Sequence, residues 1–264
     1  LIVNRTSAPM VVVDSFPEAQ VAWHFFKKKV LILGEMPLGA YSYCNLKRTE
    51  FVVYNSATLK HLARYGKKAH IHLFVNSGMN REGIGNIKEF ISYNKEYLDK
   101  VEVSGLCSHL ASADESSPLN ASQEKRFFES LNELRAAGYD PRWVHLGNSA
   151  GLLKLHSDIL TAYRPGLALY GYDPLEGAGG PLELQPALRA ISKIVSVQSL
   201  PPNEPVSYNA SYHTSQKTKI ATIPFGYFEG LDRRLSNKAE FLVIGKDSAR
   251  YAPIAGKVCM NLTC

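Results

Sequence analysis

The chain contains 264 residues, 45% of them hydrophobic and 20% charged, and carries a formal net charge of +6. No apolar run approaches the ~20 residues that span a bilayer, and the basic residues are scattered without interleaved aromatics, which argues against membrane insertion and nucleic-acid binding. The four cysteines form neither a CxxC pair nor a dense cluster, so we expect a reduced, cytoplasmic protein without a disulfide, zinc or other metal site.

Seven short apolar or β-branched runs recur through the first two thirds of the chain, and amphipathic stretches such as FPEAQVAWHFFKKK (16–29) separate most of them. The runs are PMVVVD (9–14), VLILGE (30–35), FVVYNS (51–56), IHLFVN (71–76), VEVSGLCSHL (101–110), WVHLGN (143–148) and AYRPGLALYG (162–171). Alternating strands and helices predict a parallel sheet with helices outside it. Because seven units are one fewer than eight, we predict an α/β fold, a (β/α)₈-type barrel that lacks its first strand.

Polar residues at the predicted carboxyl ends of the strands favour the barrel over its alternative, an open doubly wound sheet. These pairs are Asn55/Ser56, Asn76/Ser77, Ser108/His109 and Asn148/Ser149. Barrel active sites are built at that edge, so we expect functional residues among them.

The pattern changes at a Gly- and Pro-rich segment, GAGGPLELQP (177–186). Beyond it, apolar runs are separated by turns, and none has a convincing helical period. We predict an incomplete β/α barrel over residues 1–180 and a smaller, incomplete all-β domain over residues 181–264.

The segment VHLGNSAG (144–151) joins the end of a predicted strand to a predicted helix through small, hydrogen-bonding residues. The free N–H groups of a first helical turn can bind an anion such as a phosphate, and the Ser149 hydroxyl would stand beside it. Alternatively, Asn148 or Ser149 simply caps the helix. Both interpretations stay open at this point.

Other candidate residues are weaker when taken singly. His70 and His72 lie two apart on a predicted strand, where a structural role is more common than metal binding. Arg81 follows a strand end in a glycine-rich turn, where an arginine can bind a carboxylate through two parallel hydrogen bonds. Arg164 interrupts an apolar run, which is costly without hydrogen-bonding partners. Tyr208, in PVSYNASY, would ordinarily serve aromatic packing.

Seven segments, taken together and in order, resemble the alanine racemases, pyridoxal-phosphate enzymes with a β/α barrel followed by a β domain. The segments are NSGMNREGIG, GLCSHLASADE, HLGNSAG, YRPGLALYG, PVSYNASY, ATIPFGYFEGLDRRLSN and IAGKVCM. Each is weak alone, but the last three match the β domain, which barrel-only relatives lack. The resemblance implies racemisation of L-alanine to D-alanine, which supplies cell-wall synthesis.

The resemblance also implies a site for pyridoxal 5′-phosphate. HLGNSAG would form the phosphate site, with Asn148, Ser149 and the backbone of Gly166 and Leu167 as its residues. Arg164 would face the pyridine nitrogen. Because an arginine keeps its proton, the ring would stabilise a carbanion less than it does beside an aspartate, which suits racemisation.

Further roles follow from the same resemblance. His109 would lie against the cofactor ring and help to hold Arg164 and Tyr208, and His145 would support Arg164 from behind. Tyr208 corresponds to one of the two catalytic bases that racemisation requires, one on each face of Cα. A tyrosine acts as a base only where nearby cations favour its ionised form.

Arg81 and the Met260 amide correspond to the groups that bind the substrate carboxylate. In the family, Tyr208 and Met260 reach into the barrel of a second subunit. The resemblance therefore implies a homodimer with active sites shared between its subunits.

The chain departs from the family pattern at several positions. The lysine that forms the Schiff base lies on the family's first barrel strand, which we expect to precede Leu1. Phe74 stands where the family often carries a carbamylated lysine, so we expect Asn76 to support Arg81 instead, and Asn261 replaces an aspartate. Two alternatives stay open: a racemase of another amino acid, and a catalytically dead paralogue that binds pyridoxal phosphate.

Overall fold

A computed structural model describes residues 3–175 and 183–264. The chain divides into two compact units, Leu1–Ala187 and Leu188–Cys264. The boundary predicted at residues 180 and 181 lies outside the described residues. Within the described part of the chain, no helix is both long and apolar enough to cross a bilayer.

Six strands of the first unit form one parallel sheet. They are β1 (Met10–Val13), β2 (Lys29–Ile32), β3 (Thr49–Val53), β4 (His70–Phe74), β5 (Glu102–Cys107) and β6 (Trp143–His145). Each strand pairs with the next along the chain, in the order β1-β2-β3-β4-β5-β6. A doubly wound sheet reverses its strand order, whereas a β/α barrel does not. The predicted barrel-type fold is therefore confirmed.

Five α-helices follow strands of this sheet. They are α1 (Phe16–Phe25), α2 (Ser56–Leu62), α3 (Ile87–Leu98), α4 (Pro118–Ala136) and α5 (Ser149–Lys154). A serine or asparagine caps each of them and accepts a hydrogen bond from the first turn, which satisfies an N–H group that has no partner within the helix. At α1, Ser15 and Glu18 form a reciprocal capping box.

The two faces of the sheet carry different residues because successive side chains of a strand alternate. On the outer face, Val30, Ile32, Val53, Ile71, Leu73 and Leu106 belong to the main hydrophobic core with the helices. On the inner face, Leu31, Val52, Phe74 and Cys107 form a second, smaller cluster. In the register of the sheet, Leu31 pairs with Glu50, Val52 with His72 and Cys107 with His145. The inner face is therefore partly charged and polar.

The prediction of a seventh strand over AYRPGLALYG (162–171) is wrong. The chain lies beside β6, with backbone hydrogen bonds from Thr161 to Val144 and from Arg164 to Gly147, and then forms a 3₁₀-helix at Leu167–Tyr170. Pro165 explains the difference, because proline has no N–H to donate to a ladder and interrupts regular pairing.

The second unit consists of three antiparallel strand pairs. Its strands are β7 (Ser196–Leu200), β8 (Pro205–Val206), β9 (Tyr212–His213), β10 (Thr218–Thr222), β11 (Glu240–Ile244) and β12 (Ala249–Pro253). The pairs are β7 with β10, β8 with β9, and β11 with β12. Residues 188–264, all of which the structure describes, contain no α-helix. The predicted all-β module is confirmed.

Candidate active site

Two clefts of the first unit share His109 and Arg164 as lining residues. One has a volume of about 390 Å³ and is also lined by residues that include Tyr54, Phe74, Arg81 and Glu82. The other has a volume of about 400 Å³ and is also lined by residues that include Asn148, Ser149, Gly166 and Leu167. All predicted site residues of the first unit thus line one cleft or both.

Asn148 and Ser149 act differently where β6 leads into α5. The Asn148 side chain caps α5 by accepting a hydrogen bond of 3.0 Å from the Gly151 N–H group. The buried Ser149 Oγ accepts hydrogen bonds from the N–H groups of Gly166 (2.9 Å) and Ala168 (3.2 Å). A hydroxyl has one proton besides its two acceptor positions, so Ser149 can still donate to an anion. The capping interpretation is correct for Asn148, and the anion interpretation stays a prediction for Ser149.

Arg164 is held mainly by backbone carbonyl groups. Its Nη2 donates to the carbonyl oxygens of Ser108 (2.5 Å) and Leu146 (3.4 Å), and its Nη1 donates to the carbonyl oxygen of His145 (2.9 Å) and to the Nδ1 atom of the same residue. The His109 Nδ1 atom lies 3.5 Å from Nη2. The Nε–H group makes no hydrogen bond to a described residue, so it is the donor left for a ligand.

The charge of this arginine influences the histidines around it. Burial, followed by the positive charge of Arg164, lowers the pKa of His109 to about 4. His109 is therefore neutral at pH 7 and can accept a hydrogen bond from the arginine. Burial also lowers the pKa of Arg164 from its ordinary value, although a guanidinium group stays protonated at neutral pH.

A buried line of hydrogen bonds that ends at Arg164 was not predicted from the sequence. Glu50 Oε2 lies 2.8 Å from His72 Nε2, and His72 Nδ1 lies 2.7 Å from His145 Nε2. His70 has a different partner, since its Nδ1 atom lies 2.9 Å from Ser104 Oγ. Both strand histidines therefore have hydrogen-bonding partners. Among the residues that the structure describes, no cluster of three or more His, Cys, Asp or Glu side chains could hold a metal ion.

The predicted support of Arg81 by Asn76 is wrong. The Asn76 side chain donates to Asn80 and accepts from backbone N–H groups of its own turn. Arg81 instead donates from Nε and Nη2 to the two carboxylate oxygens of Glu82, at 2.5 and 2.6 Å. Asn76 cannot serve because its side chain is committed to a local turn, whereas a carboxylate matches the guanidinium edge. The Nη1 group of Arg81 makes no hydrogen bond to any residue that the structure describes, so it can bind a ligand.

Phe74 supports the same turn by packing. A Cβ atom on Gly83 would lie 2.8 Å from the Phe74 ring, and the φ angle of Gly83 is +112°, a conformation that glycine adopts without strain. Ile84 donates a hydrogen bond to the Phe74 carbonyl oxygen. The phenyl ring thus lies close to Gly83, and the Phe74 backbone is bonded to the turn that carries Arg81.

Tyr208 and Met260 lie in the second unit, and both are exposed, with 63% and 50% of their surfaces accessible. Tyr208 opens a short 3₁₀ turn that follows Ser207, whose φ angle is +65°. Ser207 Oγ donates to the Lys257 carbonyl oxygen at 2.8 Å. This bond ties the turn that bears Tyr208 to the segment that bears Met260.

Asn261 donates from Nδ2 to Glu229 Oε1 at 2.8 Å. An aspartate at this position would instead place a second negative charge beside Glu229, which is unfavourable. The amide at position 261 is thus matched to its neighbour.

Comparisons with known proteins agree with this arrangement. The model of the alanine racemase N-terminal domain matches residues 4–174, and that of the C-terminal domain matches residues 187–264. The chain belongs to the alanine racemase family. Alanine racemase 2 of Caldanaerobacter subterraneus subsp. tengcongensis is 36% identical over 243 residues, which are 89% of this chain and 61% of that relative. The chain thus spans less than two thirds of the length of this alanine racemase.

Solved structures of alanine racemases have the same fold. The structure of the Bacillus anthracis enzyme with bound L-Ala-P superposes with a TM-score of 0.86 at 28% identity, covering 97% of this chain and 67% of that one. The Bartonella henselae enzyme, with covalently bound pyridoxal phosphate, gives a TM-score of 0.80 at 23% identity, covering 97% of this chain and 71% of that one. The second likeness concerns the fold alone.

Proposed function

We propose that this chain forms part of a pyridoxal-phosphate-dependent racemase that interconverts L-alanine and D-alanine. The main support is the convergence of Ser149, Arg164 and His109 on adjoining clefts at the end of β6, in a chain of the alanine racemase family. The cofactor makes the α-proton of a bound amino acid acidic by drawing electrons into its ring. The residues of this chain must then bind it, orient the substrate and move the proton.

The cleft beside α5 suits the phosphate group of the cofactor. Suitable donors to a dianion are the unassigned proton of the Ser149 hydroxyl, the side-chain amide of Asn148 and the N–H group of Leu167. The Gly166 N–H group already donates to Ser149 Oγ, so Gly166 would line the site rather than donate to the phosphate. The hydrogen bond between the Gly166 N–H group and Ser149 Oγ holds these donors close together.

Arg164 and His109 would hold the ring. The remaining donor of Arg164 is its Nε–H group, which suits an unprotonated pyridine nitrogen as acceptor. Because Arg164 would not transfer its proton, it would leave the pyridine nitrogen unprotonated and the ring a weaker electron acceptor. The neutral His109 imidazole, which lines both clefts, would lie against the ring face.

Residues of the first unit of one subunit and of the second unit of its partner subunit would hold and deprotonate the substrate. Arg81 would bind the α-carboxylate through its Nη1 side, together with the Met260 amide. Tyr208 would remove or return the α-proton on one face of Cα. Its exposure in the second unit accords with a homodimer in which Tyr208 and Met260 enter the partner's cleft.

The second base is the lysine that carries the cofactor in the family, and we assign no lysine of this chain to that role. We also propose a cytoplasmic location, because the four cysteines are unpaired, as expected in a reducing compartment.

The complete product of the gene, loaded with pyridoxal phosphate, tests this function. We expect L-alanine and D-alanine to interconvert, as measured by chiral chromatography, and other L-amino acids to react more slowly. Faster racemisation of another amino acid would show instead that the protein is a racemase of that amino acid. Bound cofactor without any racemisation would favour a dead paralogue.

Ser149→Ala is expected to weaken the binding of pyridoxal phosphate by about tenfold, because one hydrogen bond to a charged group contributes about 1.5 kcal/mol. Binding of pyridoxal, which has no phosphate, is expected to change little. Titration of the apoprotein with both compounds measures the two affinities. An equal loss for both compounds would place Ser149 outside the phosphate site.

Glu82→Gln is expected to raise the KM for alanine about threefold to fivefold with a smaller change in kcat, because Arg81 loses the carboxylate that orients it. The size follows from the small free energy, up to about 1 kcal/mol, of a partly exposed ion pair. Steady-state kinetics in both directions provide the measurement. Glu96→Gln is the matched control and should leave KM unchanged, because it breaks a similar surface pair between Glu96 on α3 and Lys100, which lies just beyond the end of that helix. A lower KM would show that Glu82 competes with the substrate.

A further inference from the structure

A continuous line of hydrogen bonds crosses the inner face of the sheet. Lys29 Nζ lies 2.6 Å from Glu50 Oε1, and Glu50 Oε2 lies 2.8 Å from His72 Nε2. His72 Nδ1 lies 2.7 Å from His145 Nε2, and His145 Nδ1 meets Arg164 Nη1. The three central side chains are buried, with at most 2% of their surfaces exposed. The line therefore connects the amino end of β2 with the arginine of the cleft.

The two ends of this line determine where its protons are. Arg164 has only donors, so His145 must accept on Nδ1 and carry its proton on Nε2. That proton is donated to His72 Nδ1, and His72 consequently carries its own proton on Nε2. The Glu50 carboxylate has only acceptors and receives this second proton as a hydrogen bond. Both imidazoles are thereby fixed in the same neutral tautomer.

The electrostatics of the buried groups agree with this proton arrangement. Burial acts to raise the pKa of Glu50, but hydrogen bonds from His72 and Lys29 outweigh it and lower the pKa to about 2. Burial lowers the pKa of His72, an effect that Glu50 only partly offsets. Burial and the charge of Arg164 hold the pKa of His145 well below its usual range. At pH 7 the carboxylate is therefore charged and both rings are neutral.

Stability alone does not account for burying these groups. An ion pair inside a protein gives little net stabilisation over apolar side chains of similar volume. The neighbouring inner-face residues Leu31, Val52 and Phe74 are apolar and also buried, so this surface accommodates hydrophobic side chains. A carboxylate and two histidines in line with Arg164 therefore require a reason beyond packing.

We propose that Glu50 and His72 are positioning residues for Arg164, acting through His145 to fix the orientation of its guanidinium group. The proposal rests on the proposed function, in which Arg164 faces the pyridine nitrogen of the cofactor. With Nη1 held by His145 and Nη2 by backbone carbonyls, the free Nε–H group can point in only one direction. Without the Glu50 carboxylate, the buried Nε2–H group of His72 loses its acceptor and Arg164 alone favours the original tautomer. The two imidazoles then gain access to the opposite tautomer, in which His145 presents a donor to the arginine.

The first test is the proton arrangement itself, measured in the apoprotein of the complete gene product. Nitrogen-15 NMR of labelled histidine rings at pH 7 should show His72 and His145 as neutral rings with the proton on Nε2. In Glu50→Leu, His145 should lose this single tautomer. A charged ring, or a proton on Nδ1 of His145 in the unaltered protein, would overturn the proposal.

The second test is the effect on the loaded enzyme. We expect Glu50→Leu to lower kcat by about 100-fold, with little change in the KM for alanine. A loss of this size is typical when a group at the reacting centre is slightly misplaced. Glu50→Gln, which can still accept from His72, should recover part of the loss. Both should shift the absorption maximum of the bound cofactor, because Arg164 would contact its ring in the proposed function.

His70→Gln is the matched control, since His70 lies on the same strand and face but bonds to Ser104 outside the line. It should leave kcat and the absorption maximum unchanged. A folded Glu50→Leu or Glu50→Gln variant with unaltered kcat and absorption would refute the proposal. If the unaltered enzyme does not racemise alanine, the proposed function fails, while the tautomers and the cofactor spectrum still decide the role of Glu50.

Discussion

Arg164→Lys is expected to weaken the binding of pyridoxal phosphate by at least tenfold and to lower the free energy of unfolding by about 3 kcal/mol. A lysine keeps the charge but presents three donors from one nitrogen, so it cannot reach the carbonyl groups of Ser108, His145 and Leu146 together. A buried carbonyl without a partner costs about 1–3 kcal/mol. Titration with the cofactor and denaturant unfolding of the apoprotein measure the two effects separately.

Arg48→Lys provides a matched control for the loss of stability. Arg48 also bridges three backbone carbonyl groups, those of Trp23, Phe26 and Lys28, and it lines neither cleft. We expect a similar loss of stability from this variant and an unchanged affinity for the cofactor. If Arg164→Lys lost no more affinity than Arg48→Lys, Arg164 would not belong to the cofactor site.

Local sequence signals predicted most of the first unit. Runs of β-branched residues located β1 to β6, and each helix begins beside a serine or asparagine that caps it. Asn148 illustrates why this works: a cap is satisfied by a residue three positions away, so both partners are visible in one short segment. The strand predicted around Arg164 failed because the effect of Pro165 on pairing outweighs the apolar character of its neighbours.

Contacts across several strands could not be predicted in this way. The predicted strand began at Phe51 and so excluded Glu50. In the structure β3 begins at Thr49, and Glu50 lies on the inner face of the sheet. A shift in register after Ile71 sets Gly105 opposite His72, where a Cβ atom would lie 2.4 Å from the imidazole. The hydrogen bond between His72 and His145 depends on this spacing, which no local pattern encodes.

The partner of Arg81 was missed for a different reason. Glu82 is its immediate neighbour in the sequence, and residues adjacent in a strand point to opposite sides. The two side chains meet because they lie in an irregular turn after β4 rather than in the strand. An acidic residue next to a candidate binding arginine is therefore a signal worth considering whenever the pair follows a strand end.

Tyr208→Phe is expected to lower racemisation in both directions by about 10²- to 10⁴-fold, the usual contribution of a positioned acid or base. Phenylalanine retains the ring and removes only the hydroxyl that would carry the proton. Tyr251→Phe is the matched control, because Tyr251 is similarly exposed at 69% and lies on β12. It should leave the rate unchanged.

Isotope exchange distinguishes the loss of one base from a general loss of activity. In deuterated water, the Tyr208→Phe enzyme should still exchange the α-hydrogen of one alanine enantiomer, because the group on the opposite face of Cα is intact. The α-hydrogen of the other enantiomer should exchange as slowly as racemisation proceeds. Equal exchange of both enantiomers at the unaltered rate would exclude Tyr208 as a base. Equal loss for both, with cofactor binding retained, would assign it to substrate positioning instead.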